Sequence, residues 1–259
     1  MASPHTARRV VITGASSGIG AALARAYARR GARLFLIGRN HERLTAVAAS
    51  AGGDARCLTA DVGDVAAMQA CAEQILEDGT PDIVIANAGV SVGTLAGDRH
   101  DLAALSRVMQ TNVIGLAASL QPFVAPMRAR GRGTLVGIAS VAGIRGLPGS
   151  GAYSASKAAA IALLESMRAE LRSDGIRVVT IAPGYIDTPM TRVNRYPMPF
   201  LMQADTAAEK MLRAIERQRS YCVIPWQMGL VAKLLRLLPN PLFDRLFARA
   251  GRKPRHLPL

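Results

Sequence analysis

The sequence predicts an α/β fold, a doubly wound parallel sheet of about seven strands with helices on both faces. Three observations predict it. Short, near-continuous apolar runs rich in Val and Ile recur along the 259 residues, which is how strands covered on both faces read. Longer stretches rich in Ala and Leu separate them, so strand and helix alternate. The first of these strands also runs straight into a glycine-rich turn that opens a helix.

Taken in order, "RVVIT" (9–13) is the first strand, followed by the turn "TGASSGIG" from Thr13 to Gly20 and a helix over 18–30. "RLFLI" (33–37) precedes a helix over 41–51, and "RCLTA" (56–60) one over 64–78. "DIVIA" (82–86) leads to a long helix over 101–129, and "TLVGI" (134–138) to one over 152–173. "RVVTI" (177–181), a helix over 206–218 and "YCVIP" (221–225) complete the alternation. No linker, low-complexity tract or repeat divides the chain, so residues 1–225 are expected to form one domain. Residues 226–259 are expected to extend it as amphipathic helices. In "NPLFDRLFARAGRKPR" (240–255), Asn240 can cap and Pro241 can open a helix. Leu242, Phe243, Leu246 and Phe247 then share one side. Asp244, Arg245 and Arg249 take the other, ahead of Arg252, Lys253 and Arg255. Two readings stand: the apolar side docks on its own subunit or closes an oligomer interface, or the basic helix lies on an anionic membrane.

Half the residues are hydrophobic and 19% are charged, which describes a compact fold and not a disordered chain. Cys57, Cys71 and Cys222 show neither CxxC nor metal spacing and read as reduced core thiols, with no metal site expected. The start "MASPHTARRV" lacks a signal-peptide core and no run is long enough for a membrane span, so a cytoplasmic or membrane-peripheral protein is expected. The net charge is +14, yet the cations are scattered and aromatics make up only 4%, so no nucleic-acid partner is expected.

Glycines 14, 18 and 20 let the backbone turn tightly and approach a pyrophosphate, with helix N–H donors pointing at it. The second strand ends "LIGRN". A carboxylate there would chelate a ribose diol and favour NAD, whereas Arg39 can accommodate a 2′-phosphate, joined by the hydroxyls of Ser16 and Ser17. NADP(H) is therefore the expected cofactor and NAD(H) the alternative. Further on, "YSASK" places one of only four lysines, Lys157, a single helical turn after Tyr153.

Thr13-Gly14-x-x-x-Gly18-x-Gly20, Asn87-Ala88-Gly89, Asn112, Ser140, Tyr153-x-x-x-Lys157, and Pro183-Gly184 with Thr188 together resemble the short-chain dehydrogenase/reductase family, in its order and approximate spacing. Two small departures are "ANAG" where the family often has Asn-Asn-Ala-Gly, and Ala139-Ser140 where it often has Ser-Ser. The resemblance implies a Rossmann-type sheet of order 3-2-1-4-5-6-7, and an oxidoreductase interconverting a carbonyl and a secondary alcohol. It implies Tyr153 as general acid, its pKa of about 10 lowered by Lys157 and by the oxidised nicotinamide ring. Lys157 would also bond the nicotinamide ribose, Ser140 hold the substrate oxygen, and Asn112 support a water relay to Lys157. Ile19 and Asn40 join the cofactor contacts, and Asp61 and Val62 flank the adenine, though Asp61 can equally be a helix-capping carboxylate. Asn87, Ala88 and Gly89 would line the middle, and Pro183, Gly184, Ile186 and Thr188 the nicotinamide end.

The resemblance implies a substrate loop at about 188–204, a mobile lid with exposed Met and Phe, the alternative being a packed connecting segment. Further walls come from "SVGTL" (91–95) and "GIRGLPG" (143–149), mostly small or apolar with Arg145 the exception. A hydrophobic, uncharged small-molecule substrate and a homodimer or homotetramer are the expected partners. The alternative function is a catalytically silent, dinucleotide-sensing regulator or scaffold, against which the intact Ser140, Tyr153 and Lys157 argue.

Overall fold

The computed structural model describes residues 7–248 and 251–257. Nine strands are found among these residues: β1 (Arg9–Thr13), β2 (Arg33–Gly38), β3 (Ala55–Thr59), β4 (Ile83–Ala86), β5 (Gly133–Ile138), β6 (Ile176–Pro183), β7 (Ile186–Asp187), β8 (Met202–Gln203) and β9 (Tyr221–Ile224). Seven form one sheet in the order β3-β2-β1-β4-β5-β6-β9, every pair parallel. This is the Rossmann-type order, with β9 as the seventh strand because β7 and β8 pair only with each other.

Successive side chains of a strand point to opposite faces. Val10 and Ile12 enter a core with helices α1 (Gly18–Ala28) and α9 (Ala204–Glu216). Val11, between them, enters a second core with α3 (Val65–Glu77), α5 (Gly115–Leu120) and α7 (Gly151–Glu170). All three are fully buried. A central strand must be apolar at every position here, which is why "RVVIT" shows no alternation. Helix α2 (His41–Ala51) covers the β2–β3 edge, packing Leu44 and Val47 into the first core.

The helix expected over 101–129 is not continuous. It runs as α4 (Asp101–Met109), a π-helical turn (Gln110–Ile114), α5, a 3₁₀ turn (Gln121–Phe123) and α6 (Val124–Arg130). Pro122 lacks the N–H that an unbroken α-helix needs there, and the π turn places Asn112 at the site described below.

Past β9, α10 (Trp226–Leu237) buries Met228 and Ala232, and α11 (Asn240–Phe247) buries Phe243, stacked on Phe247 at 4.5 Å. The expected single apolar side of α11 is thus divided: Phe243 packs on the subunit while Leu242 and Leu246 are exposed, one position away around the helix. Asn240 does not cap α11. Its Oδ1 accepts from Arg145 at 2.8 Å, whose guanidinium also donates to the Leu238 carbonyl at 2.5 Å and to that of Leu235, and stands 4.0 Å over the Phe243 ring. Arg145 therefore closes the α10 C-terminus and is not a charge in the substrate wall. Arg249 lies outside the described residues. Trp226, Leu230, Leu234 and Leu237 leave an exposed apolar stripe along α10. Among the described residues no helix is long and apolar enough to cross a membrane.

Candidate active site

A cleft of about 310 Å³ opens at the C-terminal ends of the strands. Its inner rim is the β1–α1 turn. Gly14 has φ +64°, and a Cβ there would lie 2.7 Å from the Ala88 Cα. Thr13 Oγ1 accepts from the N–H groups of Asn87 (3.1 Å) and Ala88 (3.2 Å), and Asn87 Nδ2 donates to the Thr13 carbonyl at 2.9 Å and the Gly14 carbonyl at 3.2 Å. The Asn87 amide thus pins the turn. Gly20 is the one predicted cofactor residue outside the cleft lining. A Cβ on it would strike the Gly14 carbonyl, so it serves close packing of helix on turn. Ser17 caps α1 without a side-chain bond, leaving helix N–H groups open to the cleft.

At the outer end the lining includes Arg39, Asn40 and Arg43. Asn40 Oδ1 accepts from the Arg43 N–H at 2.8 Å and caps α2. Arg43 was not foreseen, although it lies four residues after Arg39 and one turn into a helix that starts at the cleft. Asp61 also lines the cleft, but it is not a helix cap; Asp64 takes that position on α3, accepting from Ala67 N–H at 3.0 Å. Asp61 accepts from Gly63 N–H at 2.9 Å and from Arg107 at 2.6 Å. Burial would raise its carboxyl, but those two donors outweigh it and hold the group below its usual value.

At the inner end, Ser140 follows β5, while Tyr153 and Lys157 come from the first turns of α7. Lys157 is 4% exposed; its Nζ donates to the Ile138 carbonyl at 2.8 Å and stands 5.8 Å from the Tyr153 ring centre. Burial pulls the ammonium down to about 8. Burial also pushes the Tyr153 phenol above its ordinary value, partly opposed by a hydrogen bond with Ser140. The expected lowering by Lys157 is absent: the desolvation that spacing does not reveal dominates, and the ammonium is engaged at Ile138. Asn112 lies behind the cleft, 1% exposed. It accepts from Val90 N–H at 2.8 Å and donates to the Val90 carbonyl (3.0 Å) and Ser156 Oγ (2.9 Å). A Cβ on Gly89 would fall 3.1 Å from Asn112 Oδ1 and 3.5 Å from Lys157 Nζ, so this glycine keeps open the space between them.

Ser16, Gly18, Ile19, Val62, Ala88, Pro183, Gly184, Ile186 and Thr188 complete the predicted lining. Thr111 was missed; its hydroxyl is buried beside the cleft without a partner among the described residues. On the substrate side, α8 (Pro189–Arg192) adds Met190. Tyr196 meets Tyr185 edge-on at 6.3 Å, and burial, then Tyr185 and Tyr153, push its phenol up to about 12. In the loop Phe200 and Leu201 are exposed.

A dinucleotide fits these residues: two glycines leave no room for side chains, helix N–H groups face the rim, and the Thr111 hydroxyl awaits a partner. A Rossmann-type sheet with this turn at one end of the cleft and Ser, Tyr and Lys at the other defines a dinucleotide-binding oxidoreductase. The sequence profile of the short chain dehydrogenase family matches residues 8–198, and the chain belongs to that family. An uncharacterized oxidoreductase of Myxococcus xanthus is 42% identical over 92% of this chain and 95% of its own. Dehydrogenase/reductase SDR family member 7B of Bos taurus is 35% identical over 95% and 82% respectively. A short chain dehydrogenase from Burkholderia cenocepacia, solved in complex with NADP, superposes with a TM-score of 0.81 at 28% identity, covering 93% of this chain and 97% of that one.

Proposed function

We propose that this protein is an NADP(H)-dependent oxidoreductase that interconverts a carbonyl and a secondary alcohol on a hydrophobic small molecule. The observation that carries the reading is the pairing of Ser140, Tyr153 and Lys157 at one end of the cleft with Arg39 and Arg43 at the other, where no carboxylate takes the diol position. The NADP held by the Burkholderia relative supports the same choice.

The β1–α1 turn would hold the pyrophosphate, Arg39 and Arg43 the 2′-phosphate, Asp61 and Val62 the adenine, and Pro183, Gly184, Ile186 and Thr188 the nicotinamide end. Bound there, the nicotinamide would supply the hydride in reduction or accept it in oxidation. Ser140 Oγ orients the substrate oxygen, and Tyr153 delivers its proton to that oxygen in reduction or removes it in oxidation. A phenol held up by burial keeps that proton at neutral pH, which suits reduction. Lys157 stays close enough to favour the phenolate as it forms, and Asn112 fixes the Val90 segment beside it. The unpaired thiols at positions 57, 71 and 222 suit a reducing, cytoplasmic setting.

The deciding experiment is NADPH consumption over a panel of ketones and aldehydes, beside a cofactor titration. Turnover is expected. Tight cofactor binding with no turnover of any carbonyl or alcohol would favour the silent regulator.

A further inference from the structure

The residues beyond α11 return to the substrate side of the cleft. Residues 251–257 touch each of the three segments that the sequence assigns to its wall, 91–95, 143–149 and 188–204. Gly93 N–H donates to the Pro254 carbonyl at 2.9 Å, and Gly93 lies so near the Lys253 carbonyl that no Cβ fits. Gly149 is covered by the Arg252 side chain, whose Cγ would be 2.7 Å from a Cβ at that position. Gly251 lies on Tyr196, where an added Cβ would come within 2.6 Å of the tyrosine Cβ. Arg255 fixes the end by donating to Asp101 at 3.0 Å and to Asp98. Leu257 packs on Val92, Val108 and Ala152.

Inside this strap is Lys253. Two of the four lysines are buried, Lys157 at 4% exposure and Lys253 at 7%. Lys253 Nζ donates to the Met190 carbonyl at 3.2 Å, and Met190 lines the cleft. An ammonium has three N–H groups, and among the described residues that carbonyl is its one partner. The strap's own carboxylate partners, Asp98 and Asp101, pair with Arg255. Burial alone acts on the Lys253 ammonium, drawing it down to about 8, so it is still mostly charged at neutral pH. A buried cation without a counter-ion is destabilising, and an arriving anion relieves that cost.

We infer that Lys253 is the anion-recognising residue of the substrate pocket, so that the substrate joins an apolar body to a carboxylate or phosphate monoester. The inference takes the location of the pocket from the proposed function but not its catalysis, and it departs from the expectation of an uncharged substrate. The apolar wall segments hold the body, and the charge comes from a tail that the sequence could not place.

The test is calorimetric titration of the NADP⁺-saturated protein with decanoate, decyl phosphate and decanol. Wild type is expected to bind at least one of the two anions about tenfold or more tightly than decanol, the size of one charge-assisted hydrogen bond. Whichever anion binds more tightly identifies the headgroup. Lys253→Met should abolish the preference, Lys253→Arg should retain it, and decanol and NADPH affinities should hold in both. Equal wild-type binding of all three probes overturns the inference without needing any variant. So does a Lys253→Met protein that loses affinity for all three probes alike, which would make Lys253 a strut between strap and loop. Because binding is read directly, absent turnover would sink the proposed reaction while leaving this inference to stand or fall on the titration.

Discussion

The cofactor preference can be worked from the structure. Arg39 and Arg43 both line the outer end of the cleft and both are exposed. A charge-assisted hydrogen bond contributes on the order of 1.5–3 kcal/mol, about ten- to a hundredfold in affinity. Solvent screening at an exposed site puts each contact at the low end of that range. Arg39→Ala and Arg43→Ala should therefore each raise the NADPH KM about tenfold, and the double variant should depart from the product of the two because both act on one phosphate and so couple. Asp61 feels the Arg39 charge and offsets part of it, although its carboxylate oxygens are bonded to Gly63 N–H and Arg107. The assay is steady-state KM for NADPH and NADH at two ionic strengths, with cofactor Kd from fluorescence titration. NADH values should barely move, and the salt dependence of the NADPH KM should flatten in the double variant. Equal wild-type efficiency with both cofactors, or arginine variants that weaken NADH just as much, would refute the reasoning.

Tyr153→Phe should abolish turnover and leave the NADPH Kd nearly unchanged, since only the proton donor is removed; retained turnover above a few per cent removes Tyr153 from its role. Burial draws the Lys253 ammonium from its ordinary 10.5 down to about 8 in the folded protein. Between those pH values the unfolded chain binds the extra proton, so wild-type stability should rise with pH relative to Lys253→Met. Melting temperatures of the two proteins from pH 7 to 10.5 check this, and parallel curves would show that the amine is not buried in solution. The exposed α10 stripe is expected to close a homo-oligomer, and Leu230→Ser with Leu234→Ser should reduce the mass measured by light scattering to that of a monomer. A wild-type monomer that co-sediments with anionic liposomes would assign the stripe to a membrane surface instead.

The sheet was legible because burial on both faces writes itself into composition: Val10, Val11 and Ile12 enter different cores, yet each must be apolar. The glycine turn and Tyr153-x-x-x-Lys157 were legible because their logic is local, one tight turn and one helical turn. Three features were not. The π turn around Asn112 carries no periodic signature and was merged into a single helix. Arg43 stood in a polar helix start where any solvated cation would look the same. The direction of the Tyr153 shift depends on desolvation, which belongs to the folded packing and not to the distance between a phenol and an ammonium in sequence.

The tail shows the same limit most sharply. In "GRKPR" three cations lie within four residues, and pattern reasoning reads them alike as a solvated basic end. The fold gives each a different environment. Arg252 lies over Gly149, Arg255 pairs with Asp101 across 154 residues, and Lys253 meets Met190 across 63. Pro254 biases Lys253 toward extended backbone, so the segment is a strap and not a further helical turn. Whether one of these side chains faces water or the substrate is then decided by partners distant in sequence. Arg255 fixes the end of the strap to Asp98 and Asp101, whereas Lys253 has no carboxylate partner among the described residues. The cation proposed to select the substrate therefore has, among the described residues, only the Met190 carbonyl as a partner.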